Sequence, residues 1–339
     1  MSRRQPEIAK KGLWSALRIA LPILATGLLA AAACLVARER MGLSPDYDIF
    51  WWSHHVADPY SGELTRVLGG SPDVLSYAYP PTFLLMTAAF AALPLLPGYA
   101  LWVAGSGAAL AAAVRSPWAI LALLSPSVAI ALLSGQTSVI IGAAIIAGLR
   151  LVERPVAAGL LIGVALSIKP QLGFLIPFGL LVTGRWRVIL VTAATGLAIA
   201  AAATAAYGVE VWGRWLAAVP LVVKVNETTL AYKQVADIPA WAKLAALLVG
   251  AGLTWRAFLR GDAESQALTA TATALLSSPY ALRYDVAALA PALVCLVLRR
   301  GWRAAAALPV LALPGSPLTL ALAIAAGWPG ARGRPRSTG

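Results

Sequence analysis

Charge is scarce in this chain, and acid is scarcer than base. Only 12% of the 339 residues are charged, with 14 Asp and Glu against 27 Lys and Arg. A soluble domain carries about a quarter charged residues and is about half apolar, whereas this chain is 60% apolar. There are 2 cysteines and 2 histidines. Cys34 and Cys295 fall inside predicted helices without metal-ligand spacing, which excludes a disulfide scaffold. His54 and His55 are adjacent and point to different faces, whereas zinc sites on helices use an i, i+4 pair, so a structural metal is not expected. No phosphate loop, nucleophile elbow or dinucleotide fingerprint occurs.

What the chain does have is apolar blocks of about 15–22 residues, the scale of a bilayer-spanning helix. The expected fold class is an all-α polytopic membrane protein, one transmembrane domain over residues 1–339 with no internal repeat. Abundant Ala and Gly suit close helix packing in lipid. The net charge of +13 reads as membrane topology rather than nucleic-acid binding, because Lys and Arg gather on cytoplasmic loops.

Sorting the basic residues orients the chain. The basic start, through Arg18, precedes an apolar stretch at 19–37. That stretch is too long for a signal peptide and has no convincing cleavage site, so it reads as an uncleaved first span with a cytoplasmic N-terminus. Arg115, Arg150/Arg154, Arg185/Arg187, Arg256/Arg260, Arg299/Arg300/Arg303 and the tail at 329–339 all fall on one side if the block at 79–97 does not cross. Prolines at 80, 81, 94 and 97 break that block, and it is expected to be re-entrant or juxtamembrane. The remaining spans are expected near 99–115, 117–134, 136–150, 155–169, 171–184, 187–206, 240–257, 264–278, 282–298, 303–314 and 316–328. With the first, the total is about 12, and both termini lie in the cytoplasm of a plasma (inner) membrane. The outer loops are then 38–98 and 207–239, with "SGQTS", "IKPQ" and "SSPYALRYD" as shorter outer pieces.

These outer pieces hold the polar residues that charge anchoring does not explain, and ionisable groups at membrane depth are functional candidates. Asp46 and Asp48 are candidate general bases; the alternative is a helix start with acidic first-turn residues. Should 46–55 be helical, Asp46, Phe50 and Ser53 share one face, and Asp48, Trp51, Trp52 and His55 another. Lys169, at a break made by Pro170 and Gly173, is a candidate cation for a phosphate; snorkelling to headgroups is the alternative. Arg283 could hold a phosphate bidentately or pair with Asp285. His54, His55, Tyr79, Gln136, Tyr280 and Asp285 are candidate acceptor- or sugar-binding groups, against capping and surface roles.

Five segments in this order, "DYDIFWW", "YAYPPTFLLM", "SGQTSVIIGAAII", "AAGLLIGVALSIKPQLGFLIPFGLLVTGRWR" and "SSPYALRYDVAALAPAL", resemble glycosyltransferase family 87. The resemblance runs over about 46–298 and implies a GT-C-type bundle. It implies a polyprenyl-phosphate sugar donor at the outer face, with its hexose, mannose as the leading expectation, passing to a lipid or glycan acceptor. In such enzymes an early outer aspartate is the base. Asp46 takes that place, with Asp48 the alternative. Lys169 falls at the family's helix-break lysine, and Asp285 where relatives carry His or Asp. Arg283 departs from the pattern, standing where an acidic residue is expected. One base and no second carboxylate nucleophile imply inversion without a cofactor or a required metal. The rivals are a lipid or polysaccharide transporter or flippase, which favours two matched halves, and a non-catalytic envelope-assembly protein.

Overall fold

The computed structural model describes residues 5–41, 46–70, 77, 79–228, 239–278, 281–312 and 317–328. Its helices, in chain order, are α1 (Gln5–Met41), α2 (Asp46–Trp52), α3 (Gly62–Val67), α4 (Pro81–Ala91), α5 (Leu95–Val114), α6 (Pro126–Leu133), α7 (Ser138–Arg150), α8 (Pro155–Ile168), α9 (Leu175–Val182), α10 (Trp186–Tyr207), α11 (Glu210–Thr228), α12 (Ala240–Arg260), α13 (Ala263–Ser277), α14 (Ala290–Arg300), α15 (Trp302–Ala305), α16 (Pro309–Ala312) and α17 (Pro317–Ala326). Tighter 3-10 segments occupy Pro117–Leu124, Pro170–Leu172 and Arg283–Leu289. Among the described residues there is no β-strand.

Four helices, in α1, α5, α10 and α12, are long and apolar enough to cross a bilayer. A fifth span arises if α6 and α7, bent by 114° at their junction, count as one. The dozen spans read from hydropathy therefore do not appear as a dozen long helices. Hydropathy counts apolar residues whether or not one helix holds them. Here Pro126 and Pro309 each open a new element inside a block read as one span, and proline suits a helix start while breaking an interior. α7 has 13 residues and α8 has 14, or about 20 Å each, short of a hydrocarbon core of about 30 Å.

Large apolar side chains face outward, as a bilayer solvent requires: Ile19, Leu190, Leu197 and Leu248 are each at least 66% exposed. The interior is sealed by small residues. Gly27 on α1 packs against α5, where an added Cβ would lie 2.6 Å from the Ala104 carbonyl oxygen. Backbones that approach so closely gain dispersion contact that larger residues would block.

Contacts define two ends of the bundle. Arg38, late in α1, lies over the Tyr99 ring early in α5 at 5.2 Å, so these helices run antiparallel. Trp102 Nε1 donates to Gly135 O at 2.7 Å, just before α7 begins. α7 finishes at the opposite end. There Arg150 donates to Ala113 O, near the close of α5, and to Glu264 Oε1 at 2.7 Å, where α13 starts. Arg299 and Arg300, closing α14, bond Asp262, and Arg185 pairs with Glu153 just beyond α7. This second end is rich in arginine. α4 keeps to the first end on both flanks. Thr82 Oγ1 donates to Ser167 O at 2.5 Å, and Trp51 Nε1 donates to Leu93 O at 2.8 Å.

Candidate active site

The first end is organised by the turn between α6 and α7. Gly135 has φ +69°, and an added Cβ would fall 2.6 Å from Tyr47 Cβ. Only glycine combines left-handed backbone with that approach at little strain. The Tyr47 N–H donates to Ser134 O at 2.9 Å, and the Gln136 N–H to Ala131 O at 2.7 Å. These bonds seat the start of α2 on the turn and set Gln136, buried, beside Asp46.

Gln136 joins the halves of the site. Its Nε2 donates to Asp46 Oδ2. Its Oε1 accepts from Tyr79 OH at 2.6 Å and Lys169 Nζ at 3.4 Å. Lys169 closes α8, where Pro170 stops the helix. Its Nζ lies 2.8 Å from Asp285 Oδ1 and 4.9 Å from the centres of the Tyr79 and Tyr284 rings. Asp285 is wholly buried. It also accepts from Ser138 Oγ at 3.0 Å and, through Oδ2, from the Leu282 N–H at 2.9 Å. A buried charge persists when paired and hydrogen-bonded, and the two rings add cation–π attraction. The reading in which Asp285 pairs with Arg283 does not hold: Asp285 faces inward to Lys169. Arg283 is exposed and makes no ion pair with a described residue.

The two aspartates of α2 differ in kind. Asp48 is buried, and both its oxygens are taken by the Arg38 guanidinium at 2.8 and 2.9 Å. This fork is among the stronger charge-assisted pairings. Asp46 is half-buried, with Gln136 as its hydrogen-bond partner among the described residues. Burial raises its pKa above the ordinary carboxylate value; the Gln136 bond and the Lys169 charge oppose that rise.

The histidines sit apart from this array. His54 Nε2 contacts Thr87 Oγ1 at 2.9 Å, and the Thr87 hydroxyl also lies 3.0 Å from the Phe83 carbonyl oxygen. Burial and neighbouring His55 push His54 down to a pKa of about 4. His55 stacks on Trp51 with ring centres 3.7 Å apart, the i, i+4 neighbour expected on that helix face. Tyr280 lies outside the described residues. Among the described residues, no three of His, Cys, Asp and Glu gather as a metal-binding group. Sequence reasoning treated Arg38 only as the end of a span and so missed the partner of Asp48. Its separation of ten residues from Asp48 was the available signal.

The array is thus a half-buried carboxylate with raised proton affinity. It is aimed by an amide whose other end is fixed on a tyrosine and a buried ion pair. Such a group can accept a proton from a hydroxyl brought within hydrogen-bond reach. Residues 77–282 match the model of glycosyltransferase family 87, more than half of the chain. The match includes Tyr79, Gln136 and Lys169, begins after Asp46, and stops short of Arg283 and Asp285. No curated protein and no solved structure matches the chain.

Proposed function

Because the chain belongs to glycosyltransferase family 87, we propose that it moves a hexose, mannose by family expectation, from a polyprenyl-phosphate donor to a glycolipid or glycan acceptor. Transfer occurs at the extracytoplasmic face. The arginine-rich end is the cytoplasmic one, because basic residues are retained on that side, and the Asp46 end then faces outward. α4 has 11 residues, about 16 Å of helix. Fastened at the outer end on both flanks, it serves as a wall of the site rather than a span.

Asp46 is the base. It takes the proton of the acceptor hydroxyl as that oxygen attacks the anomeric carbon. The bond from that carbon to the donor phosphate oxygen breaks, and the sugar inverts in a single displacement. Asp48 is unsuited to this, since the Arg38 fork occupies both its oxygens. Arg283 is assigned to the departing phosphate, whose developing charge a guanidinium stabilises. Lys169, its charge matched by Asp285, acts through Gln136 as a positioning group. Tyr79 and the Trp51–His55 stack offer ring faces to sugar.

The observation that carries this reading is the unbroken array Asp46–Gln136–Lys169–Asp285 at the end opposite the arginines. Purified D46N, D48N and wild type, assayed with polyprenyl-phosphate sugars, test it. D46N should keep its fold and donor-lipid binding and lose about 10²–10⁴-fold in kcat, whereas D48N should keep most of its turnover per folded molecule. Undiminished turnover by D46N removes the base assignment. Wild type that transfers from no polyprenyl-phosphate donor removes the donor assignment.

A further inference from the structure

At the arginine-rich end, most guanidiniums are committed within the protein. Arg150 bonds Glu264, Arg299 bonds Asp262 and Glu264, and Arg300 bonds Asp262 and Ser265. Arg154 and Arg187 stand outside this network. Both are exposed, and neither forms an ion pair with a described residue. Arg187 lines a cleft of about 330 Å³ together with Glu153, Pro155, Gly184, Arg185 and Trp186 among others, and Arg154 stands in the chain between two of these lining residues, Glu153 and Pro155. Glu153 does not neutralise it, because its carboxylate is engaged by Arg185 at 2.6 and 2.9 Å. The lining therefore carries one uncompensated positive charge, Arg187, and Arg154 adds a second beside it.

The cleft has a structural cause. α8 and α10 lie side by side and parallel: Gly159 abuts Val191, and Gly163 abuts Thr195, where an added Cβ would strike within 2.6 Å. Parallel packing brings both helix starts to the same spot. Neither start has a side-chain cap, which adds the positive ends of two helix dipoles to the guanidiniums. At and beside the cleft the same two helices turn apolar side chains outward, Trp186 from its lining and Val156 and Leu190 from near the starts of α8 and α10. Val156 is 62% exposed, Leu190 67% and Trp186 58%. Tryptophan at that level is a membrane-interface residue.

A basic pocket between membrane helices, with an apolar track running away from it, has the form of an amphiphile with an anionic head. We propose that this cleft binds the phosphate headgroup of an anionic glycerophospholipid of the cytoplasmic leaflet. Arg154 and Arg187 contact the phosphate, and an acyl chain lies along the exposed face of α8 and α10. Arginine suits the task because its fork matches phosphate oxygens, and such pockets on the cytoplasmic side take lipid headgroups. The leaflet follows from the orientation proposed above; the binding chemistry does not depend on it.

Native mass spectrometry of the purified full chain tests the site. Phosphatidylglycerol and phosphatidylcholine with identical acyl chains are added in turn to wild type and to the R154Q/R187Q variant. Both arginines are exposed and form no ion pair with a described residue, so the fold should survive; size-exclusion profile and unfolding midpoint verify this, and R187E alone is the second variant. Wild type should retain at least one phosphatidylglycerol that phosphatidylcholine does not replace, and the double variant should hold that lipid about 30-fold more weakly. Equal retention by wild type and variant, equal retention of phosphatidylcholine, or displacement of the lipid by millimolar inorganic phosphate would each overturn the proposal. The readout is lipid retention rather than sugar transfer, so its failure is separable from failure of the transferase reading.

Discussion

Replacing Lys169 by Met would leave the Asp285 carboxylate with Ser138 and the Leu282 N–H, but without its cation. The pair is nearly dry, with side chains 6% and 0% exposed and 2.8 Å between charges. Removing one member of such a pair costs about 3–5 kcal/mol, because the survivor is a buried charge without compensation. D285N should cost less than K169M, since Lys169 keeps Gln136 and two aromatic rings, and cation–π contacts in a desolvated setting are each worth about 1–2 kcal/mol. K169M/D285N removes both charges, while the amide oxygen can still accept from the Leu282 N–H and the Ser138 hydroxyl can turn to accept from the amide nitrogen. It should therefore recover about 2–3 kcal/mol relative to the sum of the single variants. Apparent unfolding midpoints in one detergent, read for all four proteins, give the cycle: each single variant falls by several degrees, and the double lies near the milder single. Strict additivity would show that the two groups do not sense each other. Sugar transfer should stay low in the double variant even where stability returns, because Gln136 has lost the cation that helps fix its orientation toward Asp46.

Three further outcomes follow from the geometry. Burial raises the Asp46 pKa, and in the proposed role as base Asp46 must be ionised, so kcat/KM should fall as pH drops through a value above the ordinary carboxylate pKa of about 4; Q136L, which removes a bond that lowers that pKa, should move the acid limb higher still. G142A should destabilise by about 1–3 kcal/mol, because a Cβ there would collide with the Ala288 backbone and push α7 from the segment carrying Asp285; an unchanged unfolding midpoint contradicts this packing. His54 is depressed from 6.5 to about 4. The unfolded chain thus binds the extra proton first, and this site's share of stability, full above pH 6.5, is lost as pH falls toward 4. Unfolding midpoints across that window should drop less for H54Q than for wild type.

Much of this protein could be read from its residues in order. Class follows from composition, since a chain this apolar finds no soluble fold. The arginines that mark one face are legible because charge retention acts on local segments, and they do gather at one end, as the contacts of Arg150, Arg299 and Arg300 show. The polar residues of the site stood out against the apolar background, and the lysine at the Pro170 break was visible as a cation out of place.

The partners were not visible. Lys169 and Asp285 are 116 residues apart, and Asp46 and Gln136 are 90 apart. Nothing in either local stretch says that Asp285 prefers Lys169 to nearby Arg283, or that Arg38 claims Asp48 and leaves Asp46 half-open. Helix hydropathy is a sum over neighbours in the chain, so it reports what lies in lipid. Which charge meets which depends on backbone approach at positions such as Gly135 and Gly142, where the absence of one methyl group lets distant segments close. Those choices are made by packing, after the chain has already committed to its membrane.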